Sequence, residues 1–185
     1  MIVIAFALEK EIPPGILKAF QNQWVRFNAL KSGSLEQYRH ERILIVITGF
    51  GAIARTAIDW ICQHLQPTEI VNIGTCGSPK RDPKQWIKAI PIHSNYSAVL
   101  EPLLPIHPMI PVDPCPVPCQ TIEHISENCN ADACDMELTH IAMACKSHNV
   151  PYYSLKYITD QHDANTIRDF NQQLPNIHAS IGIAQ

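Results

Sequence analysis

Apolar residues in this chain gather into short runs, the cleanest being Met1 to Leu8 and Ile43 to Ile47. These alternate with stretches whose apolar positions recur at helical spacing. The runs predict strands near 1–8, 24–30, 42–48, 69–73, 87–92 and 152–159. Helices are predicted over 15–22, after the Pro13-Pro14 pair, and over 52–65, where Ile53, Ala57, Trp60, Ile61 and Leu65 share a face. A third is predicted over 136–147, where Met136, Leu138, Ile141, Ala142 and Cys145 do the same. Residues 166–185 read as a helix interrupted at Pro175, whose ring and missing N–H oppose continuation. With no linker and no internal repeat, this alternation predicts one α/β domain over 1–185, a central mixed, mainly parallel sheet flanked by helices.

Proline breaks the pattern in the middle. Ten of the 15 prolines fall between Pro79 and Pro118. Each fixes φ and removes a backbone donor, so 79–118 is expected to be a surface excursion, extended or looped, with little regular pairing.

Composition narrows the function classes. The 185 residues carry a net charge of −3 and no basic block, which argues against nucleic acid as a partner. No run approaches the length of a membrane helix, and the apolar N-terminus leads into Glu9, Lys10 and Glu11 without the features of a signal peptide. Seven cysteines without a secretory signal are expected to be reduced thiols, with the cytoplasm as the compartment. Cys115, Cys119, Cys129 and Cys134 have spacings within reach of zinc but lack the usual C-x2-C knuckle, so packed thiols are expected and no metal is assigned. Cys62 and Cys145 belong to apolar helix faces and are expected in the core.

In open α/β sheets ligands bind beyond the carboxyl ends of the strands. Those positions here hold Glu9 and Glu11 after the first strand, Gly49-Phe50-Gly51 after 42–48, Gly74-Thr75-Cys76-Gly77 after 69–73, and Asp160 after 152–159. Carboxylates and glycine turns on one rim make a candidate site, with Cys76 in its wall and His162 beside Asp160. Gly49 to Ala54 also satisfies G-x-G-x-x-A, but that fingerprint needs an acid at the far end of the next strand. Glu69 stands at its beginning instead, so a dinucleotide is a minor alternative.

The blocks Ile2 to Glu11, Thr48 to Gly51, Asn72 to Gly77, Asp135-Met136-Glu137 and Tyr157 to Asp160 together resemble the nucleoside phosphorylase/nucleosidase superfamily. Within it they are most similar to the 5′-methylthioadenosine/S-adenosylhomocysteine nucleosidases, with a shortened middle region. The resemblance implies that Asp160 protonates the purine and that Glu11 activates the attacking water. It also implies that Glu137, after Met136, binds the ribose hydroxyls and stabilises positive charge on the sugar. Thr75 would help hold the water, and Lys156 stands where these nucleosidases usually carry an arginine. Cys76 and Gly77 belong to the same pocket, and Phe50 matches an apolar position facing the 5′ substituent. Thr121 to Ile125 corresponds to the purine-holding segment, with His124 in place of a stacking phenylalanine and Ile125 offering a backbone contact.

Asn72 occupies a position where phosphorylases of this superfamily place a phosphate-binding arginine, which favours water as nucleophile. The expected function is therefore hydrolysis of the N-glycosidic bond of an adenosine-type nucleoside, with no metal or organic cofactor implied, and the resemblance implies a homodimer. A phosphate-dependent phosphorylase of the same fold and a catalytically idle nucleoside-binding relative stand as alternatives.

Overall fold

The computed structural model describes residues 1–19, 24–26, 43–92, 106–108 and 112–183. The predicted ends of the first helix (20–22) and second strand (27–30), and much of the proline-rich stretch, lie outside them.

Five parallel strands carry the architecture: β1 (Ile2–Phe6), β2 (Trp24–Arg26), β3 (Ile43–Ile47), β4 (Glu69–Gly77) and β9 (Tyr152–Asp160), in the order β2-β3-β1-β4-β9. Their apolar runs are continuous because both faces are covered. Val3, Ala5, Leu44, Val46 and Ile70 pack with α2 (Ala52–Leu65) and α3 (Leu138–Ser147), whose inner faces include Cys62 and Cys145. Ile4, Phe6, Ile45, Val71 and Ile73 pack on the opposite side with Ile16 of α1 (Pro14–Ala19) and Ile177 of α4 (Thr166–Ser180). No helix among the described residues is long and apolar enough to cross a membrane.

The sheet is mixed and mainly parallel, but it is not the plain open layer the sequence suggested. β5 (Trp86–Pro91) runs antiparallel to β9, β7 (Val112–Thr121) runs parallel to β5, and β8 (Ala133–Asp135) joins β7 to β4. The ring β4-β9-β5-β7-β8 thereby closes into a barrel. A smaller ladder pairs β6 (Ile106–Pro108) with β10 (Ile181–Ile183).

The barrel corrects the reading of 79–118 as largely unpaired. Val117 and Cys119 are buried while Pro116 and Pro118 are exposed, so the prolines hold the outward parity of a true strand. The Cys119 carbonyl accepts from Ile92 N at 3.0 Å, so odd positions of β7 face β5 and the missing donors of Pro116 and Pro118 face away. On that edge β8 pairs only from Cys119 onward, and nothing needs the lost N–H groups.

Two helix expectations are also corrected. Met136 and Glu137 precede α3 instead of opening it, because Asp135 Oδ2 accepts the Leu138 amide at 3.0 Å and starts the helix there. Helix α4 passes through Pro175 without ending. Pro175 and Asn171, whose carbonyl loses its donor, are both exposed, so water can replace the missing bond.

Candidate active site

The Gly74 to Gly77 segment, read from sequence as a turn, continues β4 to its end, just as β9 continues to Asp160. Glycine is needed here for room. A Cβ on residue 74 would stand 3.3 Å from Glu11 Oε1, and 3.5 Å from both Glu137 Oε1 and Lys156 Nζ. Two carboxylates and an ammonium from three distant parts of the chain thus converge over one bare backbone position.

Glu11 is carried on a single 3-10 turn, Glu9–Glu11, directly after β1. It is buried, yet its carboxylate is well held: Oε1 accepts from Thr75 N at 3.1 Å and Thr75 Oγ1 at 2.8 Å, and Oε2 accepts from Leu8 N at 3.0 Å. Burial pushes its pKa above the ordinary glutamate value, against the opposing pull of Lys156 and these donors. A raised pKa makes this carboxylate a stronger base than a free glutamate.

Lys156 is fully buried and spans Asp135, at 2.8 Å, and Glu137. Burial alone would lower its pKa, but the two carboxylates reverse that and hold it charged. Glu137 has its pKa raised to about 7, first by burial and then by Asp135 and Glu11, against the attraction of Lys156. One cation is shared among three carboxylates, which leaves the centre with an excess of negative charge. An anionic centre of this kind suits a substrate that becomes positive as it reacts.

Asp160 closes the other end. Its Oδ1 accepts from His162 N at 2.8 Å and from Thr166 Oγ1 at 2.9 Å. Thr159 Oγ1 lies 2.6 Å from Asp160 Oδ2 and 3.2 Å from the Cys76 carbonyl. A hydroxyl has one hydrogen, which it donates to one of these two acceptors.

A cavity of about 570 Å³ joins these groups. Of the residues singled out in the sequence, Glu11, Phe50, Thr75, Cys76, Gly77, His124, Ile125, Met136, Glu137 and Asp160 line it. Lys156 does not: it sits behind the wall, so its expected place beside the attacking water is corrected to that of a charge partner beneath Glu137. Asn72 is also outside the cavity lining, and its buried side chain ties Ala5 to Ser154 across the sheet. His162 touches the site through both its backbone and the cavity wall.

Thr166 and Phe170, which the sequence did not single out, also line the cavity, as do Lys10, Glu123 and Asp135, which stood in the matched blocks without a role of their own. Thr166 carried a usable signal, a hydroxyl opening a helix six residues after the acid. Cys76 is buried, and burial pushes its thiol well above the ordinary value, which suits a wall residue and not a nucleophile. Among the described residues no cluster of three or more His, Cys, Asp or Glu side chains is placed to hold a metal.

Neither a protein-family model nor a curated protein sequence matches this chain. Solved structures do. Futalosine hydrolase of Helicobacter pylori superposes with a TM-score of 0.71 at 16% identity, over 97% of this chain and 94% of that one. The 5′-methylthioadenosine/S-adenosylhomocysteine nucleosidase of the same organism, bound to butyl-thio-DADMe-Immucillin-A, gives 0.70 at 16% identity over 97% and 93%. The 5′-methylthioadenosine nucleosidase of Arabidopsis thaliana gives 0.66 at 16% over 96% and 89%. The chain thus shares its fold with these futalosine and methylthioadenosine hydrolases.

Proposed function

We propose that this chain is a purine nucleosidase that hydrolyses the N-glycosidic bond of an adenosine-type nucleoside carrying a 5′-thio substituent. The observation that carries the reading is that Glu11, Glu137 and Asp160 open onto one cavity of about 570 Å³.

The chemistry asks for three different services from those carboxyl groups. As the bond between C1′ and the purine breaks, its electron pair goes to the base, and Asp160 gives a proton to the ring nitrogen that becomes basic. The sugar gains oxocarbenium character, which Glu137 stabilises while binding the ribose hydroxyls. Water attacks C1′ and passes its proton to Glu11, whose raised pKa matches that task. The products are free base and the ribose hemiacetal. Phe50, Met136, His124 and Ile125 line the same cavity, and in this reading the first two would flank the sugar and the last two the base.

Water over phosphate is supported by Asn72, which is engaged with Ala5 and Ser154 outside the cavity. The test is adenine release from 5′-methylthioadenosine, S-adenosylhomocysteine and adenosine, with and without phosphate. Release independent of phosphate is expected, falling about 10²–10⁴-fold in Asp160→Asn with the circular dichroism unchanged. Release that requires phosphate would make the chain a phosphorylase, and no release from any substrate would leave a binding protein.

A further inference from the structure

The cavity extends past the three carboxylates to a cation that the hydrolytic chemistry does not use. Helix α4 serves as a ruler along its wall. Thr166 holds Asp160 at the base end, and Phe170, four residues on, lies about 6 Å further along the axis. Over the Phe170 ring sits the ammonium of Lys10, 4.4 Å from the ring centroid, with Nζ donating to Asn171 Oδ1 at 3.2 Å. Lys10 lines the cavity beside Glu11 and Leu8.

This lysine is held in place. It belongs to the same 3-10 turn as Glu11, and its carbonyl accepts from His178 Nε2 at 2.9 Å. Its ammonium meets a neutral amide oxygen and an aromatic face but, among the described residues, no carboxylate. An ammonium has three donors, and Asn171 takes one. The base end is fixed by Asp160 and the ribose by Glu137 and Glu11, so a substituent on the 5′ carbon runs along Phe170 toward Lys10.

Resting on the nucleosidase reading above, we infer that Lys10 selects the 5′ substituent and favours one that ends in a carboxylate after a short apolar spacer. The spacer packs on Phe170 and the lysine stem, and the carboxylate takes the free ammonium donors. Lys10 is a binding residue in this scheme and touches none of the reacting atoms.

Two 5′-thioadenosines of matched length test it, one 5′-carboxyethylthio and the other 5′-propylthio. The wild-type chain is expected to prefer the carboxylate by about fivefold in kcat/KM, the scale of an exposed ion pair, with the difference residing in KM. The preference should shrink at high salt, fall to about one in Lys10→Met and persist in Lys10→Arg. Equal use of the two substrates by the wild-type chain, or a preference unchanged in Lys10→Met, overturns this inference and leaves the nucleosidase reading standing. No adenine from either substrate overturns both.

Discussion

A Cβ on residue 77 would stand 2.7 Å from Oδ1 of Asp160, so the bare backbone of Gly77 is what admits the acid against the end of β4. The register shift between Cys76 and Gly77 brings the two residues opposite each other. Alanine at 77 must push the carboxylate away from His162 N and Thr166 Oγ1, the donors that aim it. Gly77→Ala is therefore expected to cost about a hundredfold in kcat, as a displacement of about 1 Å does at a reacting centre. The accompanying loss of stability should be about 1–3 kcal/mol. Steady-state kinetics beside a thermal melt check it; full activity would mean that the acid's position is not critical.

Thr75 tunes Glu11. Burial raises the glutamate's pKa, and the Thr75 hydroxyl, donating at 2.8 Å, is one of the contacts that hold it back. Thr75→Val removes that donor and keeps the backbone one, so the pKa rises further. A base works only when ionised, so activity falls as pH drops through its pKa, and a higher pKa moves the acid limb of kcat/KM upward. The limb is expected to move measurably to higher pH. An unmoved limb would show that Glu11 is not the titrating base.

What the sequence revealed and what it hid follow from how each residue acts. Glu11 follows β1, Asp160 ends β9 and Glu137 follows β8, places beyond strand ends where the sequence directed attention. The apolar runs of β1, β3, β4 and β9 were visible because burial on both faces makes them uniform. The barrel was not visible. Its closing strand β8 has three residues and β7 places prolines at alternate positions with only Val117 and Cys119 buried between or beside them, and neither makes a hydrophobic period on its own. Lys156 was legible as a cation but not as a buried one, since its place depends on Asp135 arriving from the antiparallel pairing of Gly77 with Cys134. Lys10 reads as an ordinary solvated charge until α4 brings Phe170 beneath it.

Glu137 makes stability depend on pH. Its pKa is about 7 in the folded chain, against an ordinary value of 4.5. Between those values the folded state keeps a proton that the unfolded state has released, so stability falls as pH rises from 4.5 to about 7 and is level for this group above that. The effect is expected to be up to about 3 kcal/mol. Glu137→Gln should flatten the fall while abolishing turnover. Unfolding in denaturant across this pH range checks it, and the same slope in the variant would assign the dependence to other groups.

Among the described residues Lys156, fully buried, is the cation that balances Asp135 and Glu137. Lys156→Met keeps much of the side-chain volume and deletes the charge, leaving Asp135 and Glu137 without the cation that joins them. A loss of about 3–5 kcal/mol is expected, the scale for breaking a buried ion pair from one side. The same change has a chemical signature that mere destabilisation lacks. Lys156 pulls down the pKa of both Glu137 and Glu11, so its removal lets both rise, Glu137 from about 7 to above neutrality. Turnover should then be lost near pH 7 and partly regained at alkaline pH, where both groups ionise again. A variant that is less stable yet keeps the wild-type pH profile would confine Lys156 to a structural role.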